Sequence, residues 1–211
     1  MTTSYDPQDS TDHPGAKPAP TRHPVRPVIR DRWSPRAFAD EPVESDDLDS
    51  ILEAARWAAS SFNEQPWRFI VATKDEPEAY ERALSGLNEF NRKWANTAPV
   101  LILAFARTSF SKTGETNDHA RYDLGQAVAH MALEATAREL FVHQMAGIRP
   151  DHIRETYDVP DEFEAVTGIA LGHWGSPERI PEDMRDGERA GRSRKPHDEI
   201  FFDGSWGNPR D

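Results

Sequence analysis

The chain contains no cysteine. Disulfides, thiolate metal sites, iron–sulfur clusters and a cysteine nucleophile are excluded together, and the composition fits a reducing cytoplasm. Lysine is scarce as well, with 5 Lys against 20 Arg, a bias that a GC-rich genome or adaptation to high salt would each produce. Positive charge as a whole is in deficit: 25 basic residues face 37 acidic ones, for a formal net charge of −12. The broad basic face that non-specific nucleic-acid binding needs is therefore missing. No run approaches 18 consecutive apolar residues, so no membrane-spanning helix is expected, and the N-terminus lacks the apolar stretch of a secretory signal.

Several familiar motifs are missing too. Gly168, Gly172 and Gly175 do not fall on the G-x-G-x-x-G spacing of a dinucleotide fingerprint. There is no Walker-type phosphate loop, no H-E-x-x-H and no G-x-S-x-G elbow. His130 and Glu134 lie four apart on an expected helix but have no third ligand in sequence reach. His13 and His23 read as incidental, and His119 with Asp118 and Asp123 as a solvated helix start. No metal site is expected, and a redox cofactor would have to be held by another device.

What is present fits one domain with tails. Residues 1–27 hold six prolines among Ser, Thr, Asp and His and read as a solvated, disordered tail. A folded domain is expected over 28–203 and a short tail over 204–211. Within the domain, Ser45 is placed as the N-cap of a helix whose apolar positions Leu48, Ile51, Leu52, Ala55, Ala58 and Ala59 share one face. Pro66 suits the entrance of a strand over 68–73. A helix over 77–84 and a polar-aromatic segment over 87–98 precede the run Val100 to Ala106, apolar on both faces like a central strand. The longest helix is expected over 118–141. Its positions Leu124, Val128, Met131 and Ala135 form a stripe that suits either a core or a dimer seam. A short segment over 143–148, a helix from Pro150 and a strand over 163–171 follow, and from Gly172 onward the chain reads as a loop-rich arm that gains most by wrapping around something else.

Four segments, far apart in the chain, concentrate polar chemistry. The first, Arg30 to Phe38, carries Arg32, Ser34 and Arg36 at alternate positions, with Trp33 between them. The second, Ala58 to Phe69, contains Ser60-Ser61-Phe62-Asn63-Glu64-Gln65-Pro66-Trp67. Glu89 to Trp94 offers Asn91 and Lys93, and Gly191 to Glu199 offers Arg192 and Arg194. Between these two lies His143-Gln144-Met145-Ala146-Gly147. Cations with hydroxyls suit a dianionic phosphate. Amides suit the polar edge of a flavin ring, and a cation near N1 and O2 stabilises the negative charge that gathers there on reduction. Together they match what flavin mononucleotide (FMN) demands.

The first two segments, in this order and at this distance, resemble the opening signatures of the FMN-dependent nitroreductase family. The resemblance covers about residues 28–203. It implies an α+β fold with a central mixed, mainly antiparallel β-sheet flanked by helices, a long central helix at a homodimer interface, and a C-terminal arm reaching the partner. Carried over residue by residue, Arg32 binds the FMN phosphate, Ser34 the phosphate or ribityl chain, and Arg36 faces the N1–O2 edge, with Trp33 in the same contact segment. Ser60, Ser61, Asn63 and Gln65 belong to the stretch that lies against the partner's flavin. Asn91 is placed near the N3–O4–N5 edge and Lys93 toward O2, Gln144, Met145 and Gly147 on the strand passing the ring, and Arg192 and Arg194 in a C-terminal phosphate clamp. The implied activity is a ping-pong reduction of nitroaromatic, quinone, enone or flavin acceptors by NAD(P)H, with hydride passing through flavin N5 and no side chain acting as nucleophile. A flavin-binding or storage protein, or a biosynthetic flavin oxidase, is the alternative use of such a scaffold. This chain departs from the family pattern at Ala59, where proline is usual, and at Leu140-Phe141, where Gly-Leu is usual.

Overall fold

The computed structural model describes residues 15–210. Residues 1–14 of the expected tail, with His13, and the final Asp211 lie outside the described residues.

Four strands form one sheet: β1 (Trp67–Thr73), β2 (Val100–Arg107), β3 (Phe141–Met145) and β4 (Phe163–Gly172). Their order is β1-β2-β4-β3, and each neighbouring pair is antiparallel. The sheet was expected to be mixed but mainly antiparallel, and the strands described are antiparallel throughout. β2 lies inside the sheet, and its alternation explains its composition. Leu101, Leu103 and Phe105 face one core with Phe38, Tyr80, Trp94 and Met145. Val100, Ile102, Ala104 and Ala106 face a second core with Ile51, Leu124 and Met131. A strand covered on both faces has no position for a polar side chain. Each fully buried Leu, Ile or Phe contributes roughly 1.5–3 kcal/mol.

Helix α1 (Pro27–Asp31) opens the folded body. It is followed by α2 (Ser45–Arg56), α3 (Pro77–Ser85), α4 (Glu89–Ala95), α5 (Ala120–Ala137), α6 (Pro150–Tyr157) and α7 (Glu182–Arg189). Ser45 is the first helical residue of α2 rather than its cap. Glu44 holds the cap position without a side-chain hydrogen bond, while Asp46 and Asp47 do occupy the favourable first turn. Pro66 stands just ahead of β1, its carbonyl accepting from the Arg107 amide at 2.8 Å. The stripe Leu124, Val128, Met131 and Ala135 of α5 turns inward, each residue no more than 5% exposed, and is core. The outer face of α5 carries the exposed residues Tyr122, Gly125 and Ala129 instead.

Three stretches differ from expectation. Residues 15–26, expected as solvated tail, run against the body: the Gly15 carbonyl accepts from Trp33 Nε1 at 3.0 Å, and the Ala19 amide donates to the Arg30 carbonyl at 2.8 Å. The loop-rich C-terminal arm contains α7, whose buried residues are Met184 and Glu188, one turn apart. And α5 stops four residues before the expected end, so that Phe141 begins β3.

That early stop rests on Glu139, which takes a left-handed conformation (φ 60°) while the Leu140 amide returns to the Ala135 carbonyl at 2.8 Å. Glycine is the usual occupant of such a helix end, because a Cβ there costs about 1 kcal/mol. Glu139 is exposed. Replacing Glu139 with Gly should therefore raise the unfolding free energy by about 0.5–1 kcal/mol. A urea titration reads this as a higher midpoint at unchanged slope, and an equal or lower midpoint would show that the turn is not strained.

Candidate functional site

The first segment leaves α1 and runs over residues 32–37 without regular structure. Extended, unpaired backbone of this kind has free amide groups that need partners. Glu188 supplies them from α7: its buried carboxylate accepts from the Arg36 amide at 3.0 and 3.1 Å and from the Ala37 amide at 3.2 Å. His143 on β3 holds the same loop from the other side, with Nδ1–H donating to the Pro35 carbonyl at 2.8 Å and its ring 4.5 Å from that of Trp94. The carbonyl can only accept, so Nδ1 carries the proton.

These two clamps bring the cations of the first and fourth segments together. A pocket of about 240 Å³ is lined by Lys17, Arg32, Trp33, Ser34, Arg36, Glu188, Arg192 and Arg194, together with small residues of the 187–191 stretch. Five of these side chains are cationic. The one carboxylate, Glu188, is committed to backbone amides, and nearby Asp31 is paired with Arg30 at 2.7 Å. Arg32 Nη1 donates to Ser34 Oγ at 3.1 Å, and Arg192 Nη1 donates to the Lys17 and Arg30 carbonyls at 2.8 and 2.6 Å. Arg36 Nε is buried with no hydrogen-bond partner among the described residues. Burial, and then the Arg194 charge, lower the pKa of Arg32; burial, then Arg32 and Arg194, do the same for Arg192. Such a cluster is stabilised by an anion at its centre. A phosphate dianion fits the donors present: guanidinium forks, an ammonium and a serine hydroxyl.

A second grouping lies at the start of α4. Asn88 caps this helix by accepting from the Asn91 amide at 2.9 Å, which turns the buried Asn91 toward the chain beyond β3. There Asn91 Nδ2 donates to the Gly147 carbonyl at 3.0 Å, as does the Asn88 amide. A Cβ on Gly147 would sit 2.4 and 2.5 Å from the Asn88 and Asn91 amide nitrogens, so only glycine fits. Met145 is buried core, and Gln144, half-buried, alternates to the opposite face of β3. Trp33 is a structural anchor: its ring packs edge-on against Phe141 and its indole N–H holds Gly15. Lys93 is not brought to either grouping. It lies half-exposed on α4, 4.0 Å from Glu89.

The second segment stands apart. Phe62, Asn63 and Gln65 all adopt left-handed backbone, with φ of 53°, 56° and 51°. Each costs about 1 kcal/mol or more, and such strain persists only where surrounding bonds over-determine it. Here the Ser61 amide donates to Asp123 on α5 at 2.9 Å, the Gln65 amide to Ser60 Oγ at 3.0 Å, and Gln65 Nε2 to the Asn63 carbonyl at 2.9 Å. The Ser111 amide also donates to Glu64 at 2.7 Å. None of these partners lines the cation pocket. Phe62, at 92% exposed, points outward beside Phe110. Glu188 and Lys17 line the pocket without having been singled out in the sequence, and His143 was named there only as part of its segment; Glu188 and His143 act on backbone groups, which leave no side-chain pattern to find.

His143 carries a pH signature. Burial lowers its pKa to about 4, and the Arg36 and Arg32 charges push the same way against its bonds to the Pro35 and Ser34 backbone. The unfolded chain takes up this proton below about pH 6.5, the native state only near pH 4. The stabilisation is thus complete above pH 6.5 and is lost as pH falls through that window, about 3 kcal/mol in all. In His143→Gln, whose amide retains a donor for Pro35, urea midpoints should fall less steeply between pH 7 and 4 than in the wild type. Parallel profiles would show that His143 is not held neutral.

Residues 29–173 match the nitroreductase family. A solved oxidoreductase containing FMN superposes with a TM-score of 0.84 at 34% identity, covering 90% of this chain and 96% of that one. An uncharacterised 15.4 kDa protein of Mycolicibacterium smegmatis is 32% identical over 151 residues, 67% of this chain and 99% of its own length. The NAD(P)H-dependent FMN reductase of Bacillus subtilis is 25% identical over 162 residues, 69% of this chain and 64% of that enzyme. The chain belongs to the nitroreductase family.

Proposed function

We propose that this protein is an FMN-dependent oxidoreductase that draws electrons from NAD(P)H and passes them to small acceptors of the nitroaromatic, quinone, enone or flavin type by ping-pong exchange. The observation that carries this reading is the pocket of five cations whose only carboxylate is turned to backbone amides. Bound FMN supplies the hydride chemistry. Arg32, Ser34, Arg192 and Arg194 hold its phosphate. Arg36, whose Nε has no hydrogen-bond partner among the described residues, would face the N1–O2 edge of the ring, and Asn91 would serve its N3–O4–N5 edge. None of these groups needs to act as a nucleophile. Their task is to fix the ring in place and to offset negative charge.

The remaining polar segment, Ser60, Ser61, Asn63 and Gln65, serves the partner's site in a homodimer. The strained loop that displays it and the uncovered face of α5 support this arrangement. Tyr122 is 68% exposed beside Gly125 and Ala129, small residues that let a second helix approach closely. Among the described residues no helix is long and apolar enough to cross a membrane.

The purified protein should show the absorption of bound flavin, and the bands should bleach when NADPH or NADH is added without oxygen. A protein that is colourless and cannot be reconstituted with FMN would overturn the assignment. Bound flavin inert to both nicotinamides would favour a flavin-storage role. Arg194→Ala should weaken FMN binding by roughly 10- to 100-fold, the equivalent of one charge-assisted contact of about 1.5–3 kcal/mol. A mutant that keeps full flavin occupancy through gel filtration would show that the clamp is elsewhere.

A further inference from the structure

The region matched to the family begins at residue 29, yet one of the five cations in the pocket comes from ahead of it. Lys17 is held there by contacts on both sides. At Gly15 the carbonyl accepts from Trp33 Nε1 at 3.0 Å, and a Cβ would meet the Trp174 ring at 2.5 Å, so the backbone passes this point in close contact. At Ala19 the amide donates to the Arg30 carbonyl at 2.8 Å. Between them the Lys17 carbonyl accepts from Arg192 at 2.8 Å, and Arg192 at the same time binds the Arg30 carbonyl. The segment is thus laced to α1 and to the C-terminal arm, and its register leaves the Lys17 ammonium over the Trp33 ring, 4.2 Å from the centroid, donating to the Glu188 carbonyl.

A chain does not gain by adding a cation to a pocket that already holds four arginines unless an anion is to be bound there. We infer that Lys17 is a ligand of the cofactor phosphate, and that residues 15–19 form a strap, lying ahead of the family-matched region, that carries this cation to the rim of the pocket lined by Arg32, Arg192 and Arg194. The inference rests on the FMN reading above. Burial lowers the pKa of Lys17, with Glu188 opposing and Arg192 adding to the effect, as suits an ammonium set among arginines. Lysine binds phosphate as a point charge on a flexible stem, so it can swing from the Glu188 carbonyl to a phosphate oxygen without moving the strap.

The test compares FMN with riboflavin, which lacks the phosphate, by flavin fluorescence on the deflavinated protein. Lys17→Met keeps an apolar stem over Trp33 and removes the charge, while Lys17→Arg keeps the charge. Lys17→Met should weaken FMN binding roughly 10-fold or more and leave riboflavin binding unchanged, and Lys17→Arg should restore most of the loss. Unchanged FMN affinity in Lys17→Met, with Arg194→Ala still defective, would overturn the strap ligand while leaving the flavin reading intact. Equal losses for FMN and riboflavin would make Lys17 a structural anchor and overturn the inference too. A wild-type protein that takes up neither flavin would remove the reading on which it stands.

Discussion

Like charges that must share a small volume govern the arrangement around the pocket. Arg32, Arg36, Arg192, Arg194 and Lys17 converge there, and every nearby acid is engaged elsewhere: Asp31 with Arg30, Glu188 with the amides of residues 36 and 37. His143, facing the same loop, is kept neutral by burial and by the cations beside it. Had Glu188 or Asp31 been free to pair with the arginines, the pocket would be neutralised from within and an incoming anion would have to compete for its donors. The pocket keeps its excess of positive charge because the protein's own carboxylates are held by other partners.

Much of this architecture is legible in the chain itself. The run Val100–Ala106 reads as a strand covered on both faces, and it lies inside the sheet. The spacing of Leu124, Val128, Met131 and Ala135 puts them on one face, although periodicity alone leaves open which neighbour covers it; the structure turns them to the core. Helix ends were read less well. α5 ends on a left-handed glutamate where glycine would have announced the stop. α7 is short, and its inward face offers one methionine and a glutamate, a pattern that looks solvated until the backbone amides it serves are seen.

The site divides in the same way. Side chains that make chemistry by type, such as the arginines at 32, 36, 192 and 194 or Asn91, stand out in segments of unusual composition, and the fold gathers the arginines into one pocket and sets Asn91 against Gly147. Residues whose partners are backbone atoms give no such signal. Glu188 is one glutamate among many, and His143 reads as part of a strand. Lys17 sits in a proline-rich stretch whose composition points to solvent, and its placement depends on a tryptophan and an arginine far away in sequence. Lys93 is the reverse case: its residue type suits a flavin edge, while the turn of α4 that buries Asn91 carries Lys93 outward in the single chain.

The bond between Glu188 and the Arg36 amide joins residues 152 positions apart. The 32–37 loop appears early in synthesis, but the carboxylate that shapes it and the arginines that complete the pocket belong to the last tenth or so of the chain. During translation the pocket therefore stays unformed until residues 188–194 have left the ribosome. A chain cut short before α7 would lack the pocket, however well its sheet folded.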